Sequence, residues 1–246
     1  KRIVDLDKKT RELEQKQIDL EKQIKSLGSK LSELNEVHVS IEEEIKLQRA
    51  SIKLYRDLGC KLDEDISLCG RNVLPPGTAF FRPVVSGRVT SEFGMRFHPT
   101  QNKWKLHAGT DIGTTYATNV PIYAAAEGMV VALSHKSSCG GNIVYIHHNV
   151  NGKTYTTMYA HLRSIHVTPK QIVDRNTVIG IMGGDKETQA WDKCTTGLHV
   201  HFQIATGLYL KDYTAYSTFT SRSFNSRQII NIPKGNAWFS DRWTKY

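Results

Sequence analysis

Apolar positions over the first 57 residues recur with a period of seven. Leucines stand at Leu6, Leu13, Leu20, Leu27 and Leu34, and the series continues in register through Ile41, Gln48 and Tyr55. A second series runs Ile3, Thr10, Gln17, Ile24, Leu31, His38, Ile45 and Ile52. The steps between the two alternate three and four, which defines the a and d positions of a coiled coil over about eight heptads. No proline interrupts the run, and Gly28 is its single strong helix weakener, costing about 1 kcal/mol. A helix of this length reaches about 80 Å at 1.5 Å per residue, so its own small domain offers no seam long enough for it. The pattern predicts a coiled coil over residues 1–57, paired with a second copy or with another helix. Thr10, Gln17 and His38 at core positions weaken the seam and set register or orientation.

The period then changes. Residues 58–80 read as a linker ending in Pro75-Pro76-Gly77. From about residue 81 the apolar positions alternate or form short runs between turn residues. They lie around Gly87–Ser91, Met129–Leu133, Asn142–His147, Thr154–Leu162, Val178–Met182 and Leu198–Ile204. This predicts a mainly β domain over 81–246, with enough chain from residue 58 onward for one core. In the last run His199, His201 and Gln203 share one face, and Val200, Phe202 and Ile204 form a core face. In the Tyr155 run the same alternation groups Thr157, Tyr159 and His161. The tail holds Trp238, Phe239, Trp243 and Tyr246, aromatics suited to docking a terminal segment on the domain.

Charge sharpens the division. Residues 1–57 carry 13 Lys/Arg against 12 Asp/Glu, the balance of a solvated coiled-coil surface, while residues 58–246 carry 20 against 12. Most of the net charge of +9 therefore lies on the β domain. No nucleic-acid motif or Lys/Arg block accompanies it, so nucleic acid is not an expected partner. Long-range attraction to an anionic polymer is the better use of such a field. No apolar stretch is long enough to span a bilayer. The four cysteines allow three connectivities. Cys60–Cys69 with Cys139–Cys194 keeps each pair within one organisational unit, and no Cys-x-x-Cys spacing suggests a zinc finger. Disulfides imply an oxidising, extracytoplasmic compartment. With Lys1 already inside the heptads, the chain reads as a fragment of an exported protein.

Chemistry concentrates in three histidine-bearing segments: His107-Ala108-Gly109-Thr110-Asp111, Tyr159-Ala160-His161-Leu162 and Leu198-His199-Val200-His201-Phe202. Two or three imidazoles and one carboxylate suit a catalytic zinc site, which keeps an open position for water. The helical His-Glu-x-x-His motif is absent, and His38, His98, His135, His147, His148 and His166 show no partner pattern.

Taken in order, these segments resemble the lysostaphin/LytM-type zinc metallopeptidases, which act on bacterial peptidoglycan. The resemblance extends to Gly87–Pro99, Pro121–Val130 and Gly141–His147, and so spans roughly residues 82–206. It implies an antiparallel-sheet catalytic domain in which His107, Asp111 and His201 hold zinc while His161 and His199 act as unliganded catalytic histidines. It also puts Tyr155 and Tyr159 on a groove wall, as oxyanion or substrate contacts. Leu198 stands where the family usually has proline, and Gln203 where glutamate is usual; residues 183–196 form a longer loop than usual before the histidine strand. The architecture is similar to cell-division murein hydrolases whose coiled coil meets a membrane protein. The expected activity is a zinc endopeptidase cutting peptidoglycan peptides. The alternatives are a non-enzymatic activator of another wall hydrolase and a structural wall-binding tether.

Overall fold

The computed structural model describes residues 41–61, 64–98, 102–114, 119–209 and 216–242, with isolated helical positions at Gln15, Lys16, Ile18, Asp19, Lys22 and Gln23. The heptad positions before Ile41, with Thr10, Gln17, Gly28 and His38, lie outside the described residues, as do Trp243 and Tyr246.

Helix α1 (Ile41–Asp57) opens on Glu42, Glu43 and Glu44 and ends near Arg56, charges that complement the helix dipole. Helix α2 (Ile66–Val73) follows, and the Cys60–Cys69 disulfide joins the segment between them. The chain then becomes almost entirely β: β1 (Pro76–Gly77), β2 (Arg88–Ser91), β3 (Gly94–Phe97), β4 (Trp104–His107), β5 (Thr110–Gly113), β6 (Pro121–Tyr123), β7 (Gly128–Ser137), β8 (Gly141–Val150), β9 (Lys153–Ile165), β10 (Ile172–Val173), β11 (Val178–Met182) and β12 (His199–Thr206). A short helix α3 (Tyr216–Ser221) comes last. The main sheet runs β10-β7-β8-β9-β12-β5-β2, every neighbour antiparallel, and β11 bridges β9 and β6. Strands β3 and β4 form a separate hairpin.

Both faces of the central strands are covered. Val144, Ile146, Tyr159, Val200, Phe202 and Ile204 point into one apolar cluster, as the alternation predicts. The intervening Ile143, Tyr145, Met158, Ala160 and Ala205 point into a second. Strand β8 is consequently buried at every residue. Helix α1 covers this second face together with Leu208, Tyr209 and Phe219. Leu47, Ser51, Leu54 and Tyr55, spaced i, i+4, i+7 and i+8, make the buried stripe of α1. Each of the three larger side chains contributes about 1.5–3 kcal/mol of burial. Polar contacts add direction: Tyr55 Oη meets His147 Nδ1 at 2.7 Å, Ser134 Oγ donates to Glu43, and Tyr209 Oη donates to Glu44 at 3.1 Å. A boundary at residue 57 would cut through this packing, so the last seventeen residues of the heptad run belong to the domain. Ile45 and Ile52 of the same run stay on the outer side, 43% and 37% exposed.

At the other end Phe239 pairs with Gly87 through two backbone hydrogen bonds and is buried, so the tail docks there; Trp238 remains exposed. Among the described residues no helix is long and apolar enough to cross a membrane.

Candidate active site

Strand pairing assembles the site. In the β5–β12 ladder His201 lies opposite Asp111 and Phe202 opposite Thr110. Strand β4 delivers His107 just before the Ala108-Gly109 turn into β5. A Cβ on Gly109 would come within 2.6 Å of His201 Nε2, so this turn requires glycine. Nε2 of His107 lies 3.1 Å from Asp111 Oδ1 and 3.0 Å from Nδ1 of His201, which is itself 3.0 Å from the same carboxylate oxygen. Among the described residues these three form the one group of His, Cys, Asp or Glu side chains placed to hold a metal ion, and all are buried.

His161 arrives by a different route. Strand pairing puts Ala160 on the face of His201, so strict alternation would send His161 to the opposite face with Tyr159. Instead β9 carries an extra residue against β8: Val144 pairs with Tyr159 and Asn142 with Leu162. This bulge sets His161 at φ +60°, and its backbone N–H donates to Gly140 O at 2.6 Å. Bulges re-aim side chains, and this one turns the imidazole to within 4.7 Å of the His199 ring and 6.3 Å of the His201 ring, centroid to centroid. The sequence reading that grouped His161 with Thr157 and Tyr159 fails at the bulge.

The four imidazoles share one electrostatic arrangement. His107 Nδ1 faces Glu92 O at 2.6 Å, His199 Nδ1 faces Gly197 O at 2.8 Å, and His161 Nδ1 faces Asp192 Oδ2 at 2.6 Å. His201 Nε2 faces Gln203 Oε1 at 3.5 Å, and Gln203 Nε2 donates onward to Ser223 Oγ at 2.8 Å. Each outer partner accepts hydrogen bonds, which assigns the ring proton to the outer nitrogen and a lone pair to the inner one. Two imidazole lone pairs and a carboxylate 3.0–3.1 Å apart repel unless a proton or a cation lies among them. Donors on a tetrahedral zinc stand about 3.3 Å apart, close to these separations, so His107, Asp111 and His201 fit a zinc ion. Gln203, at the position of the resembling family's usual glutamate, serves as an acceptor for His201.

Burial favours the neutral form of His199 and His201. It pushes His199 down to about 4, against the opposing pull of Asp111, and lowers His201 as well. Burial raises Asp111, but a proton shared with the surrounding imidazoles of His107, His199 and His201 outweighs it and holds the carboxyl well below its ordinary value. Arg96 adds a positive charge 3.7 Å from Asp111 Oδ2.

Tyr159 is fully buried in the first core cluster against Phe202, and its hydroxyl accepts from Ala125 N–H at 2.8 Å. Tyr155 packs edge-on against Phe80 and lines a separate cavity of about 450 Å³ that none of the site histidines borders. Asp192 was missed from sequence; its signal was its place two residues before Cys194. The Cys139–Cys194 disulfide is present and ties the 183–196 loop to the turn before β8.

A buried His-Asp-His triangle with two further histidines facing it is the arrangement of a metal-dependent hydrolase. Residues 105–212 match the model of Peptidase family M23. The chain is 36% identical over 128 residues to the peptidoglycan DD-endopeptidase ShyC of Vibrio cholerae, covering 51% of this chain and 27% of that protein. It is 33% identical over 134 residues to the DD-carboxypeptidase/endopeptidase Mpg of Neisseria meningitidis, covering 54% and 28%. A solved zinc-containing peptidase from Vibrio cholerae aligns at 26% identity with a TM-score of 0.46, covering 64% of this chain and 41% of that one. The chain thus spans little more than a quarter of the length of the curated relatives it matches.

Proposed function

We propose that the protein is a zinc metalloendopeptidase that hydrolyses peptide cross-links or stem peptides of bacterial peptidoglycan. The observation that carries this reading is the convergence of His107, His199 and His201 on one buried carboxylate, with the His161 ring 4.7 Å from that of His199 and each ring held by an acceptor on its far side. His107 Nε2, Asp111 Oδ1 and His201 Nδ1 would hold the ion. Zinc, when bound, supplies a Lewis acid that activates water and polarises a scissile carbonyl. With Nδ1–H committed to Gly197 O, His199 offers Nε2 to accept a proton from water entering the site. His161 offers Nε2 in the same way, with Nδ1–H committed to Asp192. One ring takes the proton at the attack step, and a protonated ring returns it to the leaving amine. The names of the two relatives support the substrate class, and the basic charge of residues 58–246 suits an anionic wall.

The disulfides support an extracytoplasmic location. The heptads before residue 41 would form a regulatory or targeting coiled coil, joined to a second copy or to a membrane-protein helix. A non-enzymatic activator or a structural tether would have no use for a complete ligand set with two facing histidines, and the reading as an enzyme rests on that completeness. The test is zinc stoichiometry measured beside mass spectrometry of fragments released from purified peptidoglycan. One zinc per chain and new peptide termini are expected. Stoichiometric zinc without released fragments would favour the activator.

A further inference from the structure

Asp192 is a buried carboxylate on the 183–196 loop, and its place in the fold is over-determined. Its Oδ2 lies 2.6 Å from His161 Nδ1. Its Oδ1 accepts from Gly140 N–H at 3.3 Å and Cys194 N–H at 3.4 Å, and its own N–H donates to Gln189 O at 2.9 Å. The Cys139–Cys194 disulfide clamps the two segments that supply those amides, and Lys193 N–H donates across the same junction to Ser138 O at 2.9 Å. Gly141, at φ +68°, leaves no room for a side chain: a Cβ there would stand 2.7 Å from Asp192 Oδ2. Two backbone segments, a covalent link and a required glycine thus converge on one carboxylate, whose Oδ2 faces one imidazole nitrogen.

We propose that Asp192 is the positioning residue of His161, fixing the proton on Nδ1 so that Nε2 faces the metal cluster as a lone pair, with the Cys139–Cys194 disulfide holding the carboxylate in register. The bulge gives His161 its direction, and Asp192 gives it its tautomer. The same logic operates where a carboxylate orients the histidine of a serine-protease triad, and an amide in its place selects the wrong tautomer. The bare alternative is a carboxylate that only braces the loop. The two readings differ at a single atom, because bracing uses Oδ1 and positioning uses Oδ2.

Asp192→Asn separates them. The amide oxygen can keep the bonds from Gly140 and Cys194, while the amide nitrogen faces His161 Nδ1 as a donor. The ring then has to carry its proton on Nε2, towards the site. The inference rests on the reading of the protein as a hydrolase for its kinetic arm and stands free of it for its spectroscopic arm. For the kinetic arm, Asp192→Asn should lower kcat on purified peptidoglycan by about 10²–10⁴-fold, leaving KM and zinc content near those of the unaltered protein. In a His161→Ala background the same change should cost nothing further, since it acts through that ring. For the spectroscopic arm, long-range ¹H–¹⁵N spectra of the unaltered protein should show His161 protonated at Nδ1, and the variant should show it at Nε2. An unaltered protein protonated at Nε2 would overturn the proposal even if the variant failed to fold. So would a folded Asp192→Asn variant with unchanged kcat, or an additive loss on top of His161→Ala. Absence of hydrolysis by the unaltered protein would count against the enzymatic reading, and the tautomer result would still decide the role of Asp192.

Discussion

Two groups of histidines occupy the same sheet and are equally buried, yet they are built for opposite ends. His147 and His148, adjacent on β8, have both ring nitrogens matched to protein partners. His147 bridges Tyr55 Oη at 2.7 Å and Tyr209 O at 2.5 Å; His148 bridges Glu127 O at 2.8 Å and Thr157 Oγ1 at 2.7 Å. In His199 and His201 one nitrogen is matched in this way and the other is turned towards Asp111, while His161, matched at Nδ1 by Asp192, packs its ring beside that of His199. Burial alone therefore does not separate a structural histidine from a working one. The separation lies in whether the second nitrogen meets a complementary group or another acceptor.

The sharpest way to break this contrast is to exchange its consequences. His201→Ala should abolish both stoichiometric zinc, by elemental analysis, and hydrolysis, while the thermal midpoint of the metal-free protein moves little. Full zinc occupancy in that variant would remove His201 from the site. His199→Ala should keep zinc and lose about 10²–10⁴-fold in turnover; loss of zinc there would mean that the two histidines of the pair have been assigned in reverse.

The structural pair should respond the other way. His147→Leu strands Tyr55 Oη and Tyr209 O in an apolar setting and should destabilise the fold by roughly 2–4 kcal/mol in urea titrations, with unchanged activity per folded molecule. Acid gives a gradual and diagnostic effect. Burial lowers His147 to about 3 and His148 to about 4, from an ordinary value of 6.5. Below pH 6.5 the unfolded chain takes up protons that the native protein refuses. The stabilisation is complete above that pH and is lost as pH falls towards the native values, by up to about 1.4 kcal/mol per pH unit for each ring. Metal-free protein unfolded at pH 7, 6, 5 and 4.5 should show this slope, and His147→Leu should show less of it.

Much of this arrangement was legible in the chain. Alternation in Leu198–Ile204 put His199 and His201 on one face, and the same ladder does bring Asp111 opposite His201. The six strand runs all occur, while the β3–β4 hairpin, β5 and β6 lacked a pattern long enough to detect. Alternation could not foresee the bulge at His161, because an extra residue leaves no mark in the period of the sequence. Grouping Tyr159 with His161 drew it towards the site in the sequence reading, whereas it packs in the first core cluster. Asp192 was hidden in a polar loop where carboxylates are common, and its distinction is a contact across 31 residues. The second core was missed because a heptad pattern says which positions of a helix are apolar but not what covers them.

That cover has a mechanical consequence. Helix α1 is fused to the sheet through Leu47, Leu54 and Tyr55 and through hydrogen bonds to β7, β8 and Tyr209. A pull on the chain ahead of residue 41 is therefore delivered to strands β7 and β8, and β8 begins at Gly141, beside the carboxylate that orients His161. The helix works as a lever clamped to the plate that bears the site, so any pivot does not lie at residue 57. Removing residues 1–40 should leave a folded domain that binds zinc, whereas removing 1–57 strips the plate of its backing, and the two truncations compared by thermal unfolding locate the pivot.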